Sequence, residues 1–155
     1  MALRKIVYSD NELLRKKSKV VEKFDDNLAV LLDDMYETMR KNNGVGIGAP
    51  QVGILKRAFI IEIEGVKMEF INPEIIEQRG SIIEKEGCLS VKDTNGYVER
   101  PEYIRVRAQN RNGVPFEYAV SLWPARVICH ENDHLDGILY IDKMIKDFNP
   151  KTKKR

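Results

Sequence analysis

The stretch Ser121-Leu122-Trp123-Pro124-Ala125-Arg126-Val127-Ile128-Cys129-His130-Glu131-Asn132-Asp133-His134-Leu135-Asp136-Gly137 decides how the chain is read. Ser121 suits the start of a helix, Pro124 is tolerated in a first turn where its missing N–H is not needed, and Gly137 follows a helix ending near Leu135. Residues four apart share a helix face, so His130 and His134 turn both imidazoles towards one point, with Glu131 a fraction of a turn away. Two imidazoles on an ion and a carboxylate beside it are what activation of a water molecule requires: a Lewis acid and a general base. These are the only two histidines in the sequence, so accident explains their spacing poorly.

A catalytic ion of this kind takes three protein ligands and leaves one position open. In one protease pattern the histidine pair continues as H-x-x-G-x-x-H, but here the run His134 to Tyr140 keeps Gly137 and ends in tyrosine. No glutamate follows Glu131, which leaves Asp136, Asp142 or Asp147 downstream, or a cysteine upstream. Cys88 is the better choice: it follows Glu86-Gly87 at the end of a strand-like run, where a bend aims a thiolate into a cleft. Cys129 sits next to His130 and so points about 100° away from the histidine face. It reads as a small buried apolar residue. A Cys88–Cys129 disulfide would need an oxidising compartment, which nothing else in the sequence suggests.

Outward from this helix, the 155 residues suffice for one domain with a real core, and 43% apolar and 32% charged residues are globular proportions. We expect a single catalytic domain over 1–155 with a basic tail at about 150–155, Lys151-Thr152-Lys153-Lys154-Arg155. A net charge of +2 gives no argument for DNA as a partner. The apolar runs fall short of the ~20 residues of a membrane span, so no membrane association is expected. The first residues meet charge too early for a signal peptide, and with two cysteines a reducing cytoplasm is the natural compartment.

The first 24 residues read as a turn or short helix. A helix follows from about Asp26 to Lys41, with Leu28, Leu31, Leu32, Met35 and Met39 on one stripe and Asn42-Asn43-Gly44 as its stop. The segment Gly44 to Gln51 is too glycine-rich for a regular element. Ala58 to Ile63 and Val66 to Ile71 flank Glu64-Gly65 as a hairpin, Ile82-Ile83 leads towards Cys88, and Tyr103 to Ala108 returns through Asn112-Gly113 to Val114–Val120. The fold class is α+β: mixed or antiparallel strands packed around a central metal-binding helix, with an N-terminal helix.

Three segments in order resemble the peptide deformylase family: Gly44-Val45-Gly46-Ile47-Gly48-Ala49-Pro50-Gln51, then Glu86-Gly87-Cys88-Leu89-Ser90, then His130 to His134. Val98 to Pro101 and Leu135 to Asp142 look right around them. The departures, Gly48 for alanine, Lys92 for proline and Cys129 for glutamine, touch neither the proposed ligands nor the base. The resemblance implies removal of the N-formyl group from the initiator methionine of newly made bacterial proteins, releasing formate. It implies Cys88, His130 and His134 as ligands of one divalent ion, Fe2+ by preference, with Zn2+, Ni2+ or Co2+ able to substitute.

On the same resemblance Glu131 is the general base, and the Gln51 amide and Leu89 backbone N–H stabilise the oxyanion. Gly44, Val45 and Gly46 would hydrogen-bond the peptide in a strand-like manner. Trp123 and Val127, two turns and one turn before His130, are candidate walls of the methionine pocket or else core residues, and Arg100 is a candidate contact for the bound peptide or else pairs with an acid on the surface. Asp133 is expected to fix Arg105 or Arg107, and Glu86 to orient polar groups near the site. Partners would be N-formylmethionyl peptides and nascent chains, with weak ribosome contact through the basic tail. Two other readings compete: a metallopeptidase with an aspartate as third ligand, and a structural metal site in a binding module, which would normally be closed by four ligands.

Overall fold

The computed structural model describes residues 2–151. Helix α1, Asp26–Lys41, begins where the Asp25 side chain accepts from Leu28 N at 3.0 Å and stops where Asn43 takes φ 58° and Gly44 N donates to Met39 O. The strands follow: β1 (Gly46–Gly48), β2 (Ala58–Ile63), β3 (Val66–Arg79), β4 (Ile82–Cys88), β5 (Val91–Arg100), β6 (Tyr103–Gln109) and β7 (Pro115–Ser121). Helix α2 is Trp123–Leu135 and the short α3 is Tyr140–Lys143. The expected opening turn or short helix is a single 3-10 turn, Glu12–Arg15, in an otherwise irregular segment.

Strands β1-β2-β3-β6-β7 form one antiparallel sheet in that order, and β4-β5 form a separate two-stranded ribbon. Strand β2 explains why the large sheet is covered on both faces. Successive side chains of a strand point to opposite sides. Ala58 and Ile60 therefore join the α1 core with Leu28, Leu32 and Met35, while Phe59 and Ile61 join the α2 core with Ala125, Ile128 and Leu135. Glu64 and Gly65, both at positive φ, make the tight turn into β3.

Helix α2 is divided lengthwise. Its apolar side chains meet the sheet, while Arg126, His130 and Asp133 hydrogen-bond the ribbon. The helix is therefore held between sheet and ribbon, and the histidine pair faces the seam. Its entry differs from expectation: Leu122, not Ser121, is the N-cap, at φ 63° and with no side-chain cap. No helix among the described residues is long and apolar enough to cross a membrane. Of the basic tail, residues 152–155 lie outside the described range.

Candidate metal centre and active-site cleft

Two rules of periodicity bring the donors together. Along α2, His130 and His134 are one turn apart. Along β4, Glu86 and Cys88 are two apart and so point to the same side, towards the helix. A register shift between Glu86 and Cys88, with Asp93 at φ 57° opposite, bends the ribbon where it delivers the thiol. The outcome is a cluster in which Cys88 Sγ and one ring nitrogen of each histidine lie within 4.8 Å of one another. Cys88 Sγ is 3.4 Å from His134 Nε2. Asp136 and Asp142 are engaged elsewhere, with Arg57 and Arg15. Both cysteines are free, and burial pushes the Cys129 thiol up to about 11, away from the thiolate chemistry of the site.

The donor set suits a divalent first-row ion: thiolate and imidazole ligands bind at about 2.0–2.3 Å, so one ion can bridge atoms this far apart. The two rings sit in opposite environments. Burial pushes His130 down, but its bonds to Cys88 and Glu86 more than offset this and take it up to about 10, so an ion binding this ring must displace a proton. Burial pushes His134 well below its usual range, so that ring stays neutral, as a ligand must be. The second ring nitrogen of His130 bonds Glu86 Oε1 at 2.9 Å, which fixes the ring and leaves Nε2 for the centre.

Glu131 is 4% exposed, and burial raises its carboxyl to about 7, close to where a general base works best. Its Oε1 has no hydrogen-bond partner among the described residues, although it is buried. Gly46 packs directly against it: a Cβ there would sit 2.7 Å from Glu131 Oε2. The residues expected to be catalytic, Glu131, Gln51 and Leu89, all line a cleft of about 400 Å³ together with Cys88 and His130. Gly44, Val45, Gly46, Trp123 and Val127 line it too. Gln51 is oriented unambiguously. Its Oε1 accepts from Gly48 N at 2.9 Å, so Nε2 is turned towards Ser90 Oγ at 3.2 Å and Cys88 Sγ at 3.7 Å.

Two expectations are corrected. Arg100 does not line the cleft: it is 2% exposed, and its guanidinium donates to both oxygens of Glu86 and, at 2.6 Å, to Asp133 Oδ2. Asp133 accordingly holds Arg100 and Lys143, while Arg105 and Arg107 pair with Glu77 and Glu117 on the sheet. With its charge absorbed, Arg100 acts on the site through Glu86, whose carboxyl is held down at about 2; burial opposes this, and the bonds from Arg100 and His130 overcome it. Arg126, and a role for Ser90 beyond its place in the Glu86–Ser90 motif, are not legible from the motifs alone. Arg126 stands four residues before His130, a spacing that signals a shared helix face.

A half-buried thiol and two buried imidazoles converging beside a carboxylate, at the floor of a cleft the size of a small ligand, define a metal-dependent hydrolase. Comparison with known proteins carries the assignment further. The family model described as polypeptide deformylase matches residues 3–149. A peptide deformylase of Caldicellulosiruptor bescii is 55% identical over 146 residues, covering 94% of this chain and 88% of that protein. One from Alkaliphilus metalliredigens is 52% identical, covering 95% of this chain and all of that protein. The crystal structure of peptide deformylase from Thermotoga maritima superposes with a TM-score of 0.92 at 39% identity, over 94% of this chain and 99% of that one. The chain belongs to the peptide deformylase family, enzymes that remove the N-formyl group from nascent chains.

Proposed function

We propose that this chain deformylates N-formylmethionyl chains with Cys88, His130 and His134 as ligands of one ion, Fe2+ by preference, and Glu131 as the proton carrier. The observation that supports this most directly is the convergence of the three donors with a buried carboxylate whose Oε1 lacks a partner. Cys88, His130 and His134 would hold the ion, and the chemistry it would supply there is Lewis acidity, for activating water near neutral pH and for polarising a carbonyl.

The protein's own groups do the rest. Glu131 takes the proton from water at its carboxylate and later delivers it to the departing amine. The Gln51 Nε2–H and the Leu89 backbone N–H receive the negative oxygen that develops as the formyl carbon becomes tetrahedral. Gly44 and Val45, which lead into β1, and Gly46, its first residue, offer backbone groups to the peptide in a strand-like manner. Trp123 and Val127 provide apolar wall for the methionine side chain. A cleft of about 400 Å³ holds that side chain and the scissile amide, and leaves later residues of a nascent chain at the mouth. The enzyme would meet this substrate in the cytoplasm, as one catalytic domain over 1–155, with its basic tail giving weak contact to ribosomal RNA.

The test is formate release from N-formyl-Met-Ala by protein purified without oxygen, with the metal content measured on the same sample. Iron at one equivalent with rapid turnover is the expected result. Cys88→Ala should lose both metal and activity, whereas Glu131→Gln should keep the metal and lose turnover. A Cys88→Ala protein that keeps its metal, or a Glu131→Gln protein with full turnover, overturns the assignment.

A further inference from the structure

The two imidazoles share one rigid helix, but the sulfur arrives on a ribbon that is not hydrogen-bonded to the main sheet. The geometry of the centre therefore depends on how the ribbon is seated on α2. Apart from the contacts of Cys88 with His134 and His130, the side-chain bonds from α2 to the ribbon are few. His130 Nδ1 meets Glu86 Oε1 at 2.9 Å, and Asp133 accepts from Arg100 at 2.6 Å. The rest leave Arg126: Nη1 donates to Glu86 Oε2 at 2.5 Å and to Val98 O at 2.9 Å, and Nη2 donates to Ile82 O at 2.8 Å.

One buried guanidinium thus grips both strands of the ribbon, β4 at Ile82 and Glu86 and β5 at Val98. It is 2% exposed. Because Arg126 and His130 are four apart, the same Glu86 carboxylate ties the ribbon to the imidazole that faces the centre. A buried ion pair contributes little to stability compared with apolar residues of the same volume, so stability alone is a weak reason for it here. What a planar fork supplies is position: it satisfies a carboxylate and two carbonyls in one fixed geometry, which an ammonium cannot do.

We propose that Arg126 is a positioning residue for the metal, a clamp between α2 and the β4–β5 ribbon that sets where Cys88 meets the two imidazoles. The inference rests on Cys88, His130 and His134 being the ligands. Its test uses Co2+-loaded protein, challenged with excess EDTA, with three readouts: the rate of metal loss, the thiolate-to-cobalt absorption band, and the melting temperature with and without metal.

Arg126→Met frees Glu86, the partner of His130, and should release Co2+ about tenfold faster than the parent, the low end of the affinity loss on removing a ligand's own partner, with a shifted or weakened thiolate band. Arg126→Lys keeps the charge beside Glu86 but cannot span both strands, and should fall between the two. Leu32→Ala, in the α1 core on the other side of the sheet, should melt earlier yet release metal at the parental rate. If Arg126→Met melts earlier and holds Co2+ as the parent does, Arg126 is structural only and the proposal is overturned. Where Arg126→Met does not accumulate, Arg126→Lys decides, and parental release from it has the same consequence. Cys88→Ala separates the two levels: if it retains Co2+ like the parent, the ligand assignment fails, whatever Arg126 does.

Discussion

Replacing Gly46 with alanine tests the geometry of the base with one methyl group. Gly46 has no positive φ, so alanine suits the backbone, and any cost arises from space alone. The three nearest atoms to the added Cβ all belong to Glu131: Oε2 at 2.7 Å, and Cδ and Cγ at 3.0 Å. Ordinary carbon contacts begin near 3.5 Å, so the carboxylate must retreat by about 0.5–1 Å. Misplacement on the order of 1 Å costs about 100-fold in rate, which is about 2.7 kcal/mol of barrier. Formate release should therefore fall about 100-fold in kcat/KM, while one equivalent of metal is retained, because no ligand atom is among the Cβ's nearest neighbours. Turnover within about threefold of the parent would refute the idea that Gly46 sets the position of Glu131. Loss of metal together with activity would refute it equally, by showing that the methyl disturbs the whole centre.

The remaining predictions concern separate parts of the molecule. Gln51→Ala should lower kcat about 100- to 1000-fold, the usual loss for an oxyanion donor, with metal content unchanged; a purely binding role would instead raise KM alone. Asp34 is held below its usual value of 3.8, first by the Ala2 N–H and also by Arg4, against the opposing effect of burial. Its contribution to stability is therefore present above about pH 4 and lost as pH falls through the depressed folded value. The melting-temperature gap between Asp34→Asn and the parent should be present at pH 7 and shrink as acidification passes below pH 4; a gap that grows there contradicts the sign. Deleting residues 151–155 should weaken ribosome co-sedimentation at low salt and leave formate release intact; unchanged sedimentation removes the tail from the account.

Elements governed by local periodicity were legible in the sequence. The Leu28–Met39 stripe, the Glu64-Gly65 turn and the helix through His130 all emerge at the expected places because their signals lie within a few residues of each other. Strand β5 was not legible. Val91-Lys92-Asp93-Thr94-Asn95-Gly96 carries turn residues where the ribbon bulges, and its strand character comes from pairing with β4. Strand β1 was hidden for a related reason: Gly46-Ile47-Gly48 has no side-chain pattern to read, and it is a strand because β2 lies beside it.

By itself the sequence determined the chemistry on offer: a sulfur, two imidazoles four apart, and a carboxylate next to the first of them. That much follows from residue type and helical spacing. Which groups meet was decided only by the tertiary structure. Glu86 and His130 are 44 positions apart, Arg100 and Asp133 33 apart, and no local rule relates them. Arg100 was expected either at the bound peptide or paired with an acid on the surface. It is instead sealed against Glu86 and Asp133, because the ribbon packs on α2 and a buried guanidinium must find carboxylates there. Packing also chose Gly46 as the neighbour of Glu131 and gave Arg126 its place on both strands of the ribbon.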